Sequence, residues 1–126
     1  AGWCPALAVV NPTMQYAVDV YRLVVLAQRG QIKNCIGAGP VAFDNAYSAE
    51  AARIKGIDSV VAGHADLMLM PNLTVGNAVS KAIAYVAKKT LVAATVGAKV
   101  PVVVTSRTET DKGKLYSIAL ASYLVD

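Results

Sequence analysis

At 126 residues the chain is one domain of ordinary size or a piece of a larger one, and with 56% hydrophobic and 16% charged residues it can bury a core. A net charge of +4 suits an anionic ligand, but it is too small and too scattered, and the 6% aromatic content too low, to argue for a nucleic-acid surface built on basic patches and stacking, which rests on the basic balance alone. No apolar stretch reaches the ~20 residues of a membrane span, because Asp19, Arg22, Gln28 and Pro71 interrupt the longest ones.

In chain order, residues 6–10 are short and apolar between Pro5 and Asn11 and predict a strand. Asn11 followed by Pro12 is a helix cap with proline at the first helical position. Met14, Ala17, Val18, Tyr21, Val24 and Val25 then recur at helical spacing until Gly30. Residues 32–36 predict a second strand, broken by Gly37, Gly39 and Pro40, and residues 45–55 a short helix ending at Gly56. Residues 66–70 predict a buried strand closed by Pro71, with Met68 and Met70 as core filling. A helix over 74–89 carries Val75, Ala78, Val79, Ala82, Ile83, Val86 and Ala87 as its apolar stripe.

Residues 91–96 and 102–105 are strand-like and close enough to form a hairpin. Ser106 and Glu109 match a capping box opening the last helix, with Leu115, Ile118, Ala119 and Tyr123 on one face. This alternation predicts an α/β domain over 1–126, a helix–sheet–helix layering with a largely parallel or mixed sheet. The final helix, 106–126, is expected to pack on that sheet, on a missing domain or on a partner. The apolar surplus agrees with burial of some surface against another chain or domain.

The chain starts at Ala1 without a recognisable signal peptide, so it is expected to be processed, excised or trimmed there. Cys4 and Cys35 form no metal-binding pattern, and they read as two reduced thiols of a cytosolic protein or as one disulfide. The single histidine, His64, has no second ligand beside it in sequence and reads as a surface or interface residue; no metal site is expected.

Three segments pass from a strand end into a loop or helix start, where ligands collect in open α/β sheets. The first contains Asp44, either a helix cap or a functional carboxylate. The second runs from Pro71 through Asn72, Gly76 and Asn77 to Lys81. There, free N–H groups favour an anion and glycine permits close approach, unless the segment is only a capped helix start. The third holds Lys99 and ends in Thr105-Ser106-Arg107. The Arg107 fork suits phosphate, although Ser106 as a cap and Arg107 as a solvated cation fit the same pattern.

Taken together, several motifs resemble the phosphate acetyl/butyryltransferase family, and most closely its phosphate butyryltransferase branch. They are Val10-Asn11-Pro12, Gly39-Pro40-Val41-Ala42-Phe43-Asp44-Asn45-Ala46, Gly63-His64-Ala65-Asp66, Pro71-Asn72 with Gly76-Asn77 and Lys81, Gly97-Ala98-Lys99, and Thr105-Ser106-Arg107. The landmarks run in order over nearly the whole chain. The resemblance implies a C-terminal portion of a two-domain, cytoplasmic, homodimeric or larger acyltransferase, with a fold like the isocitrate/isopropylmalate dehydrogenases. It implies transfer of an acyl group between coenzyme A and inorganic phosphate, with acyl-CoA and acyl phosphate as partners, coenzyme A as substrate and no further cofactor.

By the same resemblance Ser106 and Arg107 are catalytic, and Asp44, Asn72, Gly76, Asn77, Lys81 and Lys99 bind substrate. Two departures stand out. Ala38 replaces the acidic residue usual before Gly39-Pro40. Gly113 occupies the place of an aspartate proposed as base in the acetyltransferase branch, which leaves the base unassigned. A non-catalytic binding or oligomerisation module is the alternative.

Overall fold

The computed structural model describes residues 11–125. The predicted strand at 6–10, and with it Cys4, lies outside them. The described chain divides between Gly76 and Asn77 into two compact units.

In the first unit, α1 spans Gln15–Gln28. It starts later than the Asn-Pro signal suggests, because Asn11 spends its Oδ1 on the N–H and hydroxyl of Thr13, at 3.0 and 2.7 Å, and so caps a turn. Its inward face is Ala17 and Val20, rotated from the predicted stripe, with Tyr21 half exposed. Gly30 ends the helix at φ +72°. The N–H of Gly30 donates to Ala27 O and that of Gln31 to Leu26 O, a Schellman closure that needs a left-handed residue. Gly37 packs directly on α1, with room for a Cβ only 3.2 Å from the Ala27 Cβ.

The expected helix over 45–55 is two helices, α2 (Phe43–Tyr47) and α3 (Ala49–Ile54). Ser48 divides them: it is extended, and its hydroxyl accepts the N–H of Ala51 at 3.2 Å, which starts a new helix. Gly56, at φ +64°, closes α3 as Gly30 closes α1. Gly63 donates its N–H to Asn45 O at 2.8 Å. This ties the 59–66 loop to α2.

The expected strands do not form ladders among the described residues. Asn34, at φ +59°, turns the chain within 32–36. Residues 66–70 alternate as a strand would, but Met68 and Met70 are half-buried while Leu67 and Leu69 face outward, so the segment is not buried on both sides.

In the second unit, residues 91–96 and 102–105 meet in one antiparallel pair, Thr95 with Val102, through reciprocal bonds of 2.7 and 3.2 Å. Gly97, at φ +98°, turns the chain directly after it.

Helix α4 (Leu73–Lys81) crosses from one unit to the other and continues as a π-helical turn over Ala82–Val86. None of its predicted stripe is fully buried, and Val86 is 82% exposed. Lys88, at φ +52°, ends the run. The last helix, α5, spans Asp111–Tyr123 and begins at Thr110, whose hydroxyl accepts the Gly113 N–H at 3.0 Å. The Ser106–Glu109 box therefore opens a turn rather than the helix. Its buried face is Gly113, Ser117 and Ala121, whereas Leu115, Ile118 and Tyr123 point outward. No helix among the described residues is long and apolar enough to cross a membrane.

Candidate functional site

Two cavities differ in chemistry. The larger, about 930 Å³, is a groove of the first unit between α1, residues 32–38 and residues 60–69. Its walls are largely apolar, with Cys35, His64 and Asp66 among them, and Ile36 and Leu67 are over 70% exposed. Cys35 carries a free, exposed thiol. Size and apolarity favour such a groove as a binding site, but none of the sequence-derived candidates lines it.

The smaller cavity lies wholly in the second unit and measures about 180 Å³, the space of about six waters. Asn77, Ser80 and Lys81 enter from the end of α4, Leu91 and Ala93 from one extended segment, Val104, Thr105 and Ser106 from the other, and Glu109 and Ser117 from the turn before α5 and from α5 itself. Hydroxyls, an amide, one ammonium and one carboxylate thus converge. That polar convergence, rather than volume, makes it the candidate functional site.

Backbone logic places each group. Ser117, 1% exposed, donates to Gly113 O at 2.8 Å and accepts the Ala93 N–H at 3.1 Å, fixing α5 to the cavity wall. Ser106 pairs with Thr108 Oγ1 at 3.0 Å, and Thr108 pairs in turn with the Tyr85 hydroxyl. The Ser106 hydroxyl is therefore oriented by a chain that begins on the π turn. Lys81 stands 5.7 Å from the Tyr85 ring centroid and has no carboxylate within ion-pair distance among the described residues. Its charge is available to an anion.

Of the predicted residues, the cavity unites Asn77, Lys81 and Ser106. Arg107 and Lys99 are exposed and do not line it. Asn72 caps α4, its Oδ1 accepting the Val75 N–H at 3.0 Å. A Cβ on Gly76 would meet only ordinary contacts with Met70, 3.6 and 3.7 Å away. Asp44 sits in the first turn of α2, where its Oδ1 accepts the Asn45 N–H at 2.9 Å and its Oδ2 pairs with Lys55 Nζ at 2.7 Å. The Lys55 hydrogen bond holds the Asp44 carboxyl below the usual carboxylate range. Sequence reading missed Ser80, Glu109 and Ser117 as cavity residues. The only signal for Glu109 was its capping-box spacing, which pointed elsewhere.

The comparisons with known proteins agree with one another. A phosphate acetyltransferase of Thermotoga maritima is 46% identical over 117 residues, 93% of this chain and 40% of its own length. A probable phosphate butyryltransferase of Bacillus subtilis is 47% identical over 92% of this chain and 39% of its own length. The crystal structure of a branched-chain phosphotransacylase from Enterococcus faecalis V583 superposes with a TM-score of 0.83 at 29% identity, covering 98% of this chain and 45% of that one. This likeness places the chain in the α/β class despite its sparse strand pairing. The chain spans about 40% of the length of the curated relatives it matches. Residues 8–122 match the model of the family described as phosphate acetyl/butaryl transferase, and the chain belongs to that family.

Proposed function

We propose that this chain supplies one wall of an acyltransferase that interconverts acyl-CoA plus phosphate with acyl phosphate plus coenzyme A. The observation that carries the reading is the cavity in which the unpaired Lys81 ammonium meets the oriented Ser106 hydroxyl and Asn77, in a chain of this family. Acyl transfer needs a cation for the phosphoryl group, donors for the carbonyl oxygen as charge grows on it, and two reactants held side by side. Lys81 serves the first need and Ser106 with Asn77 the second. Arg107 and Lys99, exposed beside these segments, receive the more distant phosphate groups.

The same reading makes coenzyme A a substrate, the enzyme cytoplasmic and dimeric or larger, and the fold a relative of the isocitrate/isopropylmalate dehydrogenases. Gly113, in the place of the aspartate of the acetyltransferase branch, favours the butyryl-type branch, while relatives of both names match at similar identity.

The test is thioester formation from butyryl phosphate and coenzyme A by the complete protein carrying this chain. Arg107→Ala is expected to lower kcat/KM by about 100-fold, the loss of one charge-assisted contact. Absence of coenzyme A-dependent phosphate release by the wild type, or an unaffected Arg107→Ala variant, would defeat the reading. Binding of coenzyme A without turnover would favour a non-catalytic module instead.

A further inference from the structure

We infer, resting on the acyl-transfer reading, that the Glu109 carboxylate is the base that takes the thiol proton of coenzyme A. Glu109 is the one carboxylate on the cavity wall, and Lys81 is the only other charged group there. The carboxylate is half-buried and its two oxygens are treated differently. Oε1 accepts from the Thr110 N–H at 3.1 Å and from the Thr110 hydroxyl at 3.4 Å. That hydroxyl is itself fixed by the Gly113 N–H. Oε2 accepts no hydrogen bond among the described residues. One oxygen is anchored, and the other is left to receive a proton.

Gly113 explains how the carboxylate reaches this place. A Cβ at 113 would overlap Glu109, coming within 2.8 Å of Cδ and 2.9 Å of Cγ as well as against Oε1. The side chain of Glu109 thus lies in the space that any side chain at 113 would take. Glycine is a weak helix former, and here its bare Cα makes room for an acid.

The step balances without a further reactant. The thiol gives its proton to Glu109, and the thiolate sulfur bonds to the carbonyl carbon of the acyl phosphate. The carbon–oxygen bond to phosphate breaks, and the proton passes from Glu109 to the departing phosphate. Ser106 and Lys81, on the same wall, face the carbonyl oxygen and the phosphoryl group. A base is needed because even a cysteine thiol, titrating at about 8.5, is only about 3% ionised at pH 7, and the plain alkyl thiol of coenzyme A is a weaker acid still.

The test uses the complete protein with butyryl phosphate and coenzyme A. Glu109→Gln preserves the acceptor for Thr110 and removes the base; kcat is expected to fall about 100-fold or more at pH 7, with both KM values within a few-fold. The deficit should shrink about 20-fold or more by pH 9, because the ionised fraction of the thiol rises by at least that factor between the two pH values. Gly113→Ala, which displaces the carboxylate but leaves it in the chain, should also lower kcat and serves if Glu109→Gln does not fold. An active wild type whose Glu109→Gln variant keeps its kcat within three-fold, or whose deficit is the same at pH 7 and pH 9, overturns the base assignment alone. An inactive wild type instead overturns the acyl-transfer reading.

Discussion

The backbone N–H of Ala93 donates to the buried hydroxyl of Ser117 across 3.1 Å, and that hydroxyl donates in turn to Gly113 O at 2.8 Å. One side chain therefore joins an extended segment to α5 at the floor of the polar cavity. Ser117→Ala is expected to leave the Ala93 N–H without this partner and cost about 0.5–1.5 kcal/mol, read as a lower urea midpoint with an unchanged slope.

Two glycines with similar backbone angles should respond differently to alanine. Gly30, at φ +72°, has open space where a Cβ would stand, so Gly30→Ala meets only the left-handed penalty of about 1–2 kcal/mol. Gly63, at φ +79°, would drive its Cβ into the backbone N and Cα of Ala49. Gly63→Ala is expected to cost roughly 4 kcal/mol or more, and thermal melts of the two variants compare them directly.

The Asp44–Lys55 pair makes stability depend on pH with a definite sign. The folded-state pKa of Asp44 is depressed, first by the Lys55 hydrogen bond. Its stabilisation is therefore complete above the unfolded carboxylate value, about 3.9, and is lost as pH falls through the lower folded value. The Tm difference between wild type and Asp44→Asn should be present at pH 7 and fade below pH ~4. Because both partners are about half exposed, added salt should reduce it as well.

Lys81→Gln should weaken phosphate binding more than acyl-CoA binding. Removing one charged contact to an anion costs about 1.5–3 kcal/mol, or about a 10- to 100-fold rise in KM for phosphate. Initial rates in the phosphate-consuming direction provide the measurement.

What the sequence made legible follows from how local each signal is. The ends of α1 and α3 could be read because Gly30 and Gly56 supply left-handed caps within one turn. The start of α5 could not, because Thr110 competes with Ser106 as a cap and takes the Gly113 N–H. The outward face of α5 was misplaced for a different reason: small residues, Gly113, Ser117 and Ala121, sit inward where close approach is required, and periodicity of large apolar residues cannot see them. Strand runs at 32–36 and 66–70 had the right composition, but pairing depends on non-local partners, and Asn34 turns the first of them. Within the site, Ser106, Asn77 and Lys81 came from motif resemblance, whereas Glu109 emerged only once the fold laid it over Gly113.

The π turn at Ala82–Val86 is the last turn of the helical run that begins at Leu73. A wide turn holds one residue more than an α-helical path requires, so losing a single residue there would tighten it to α-helical spacing and move Tyr85 from its place. The Tyr85 hydroxyl would then swing off Thr108, and Ser106 would lose the far end of its hydrogen-bond chain. Among related sequences, a one-residue gap in this turn and the loss of a hydroxyl at position 108 should travel together.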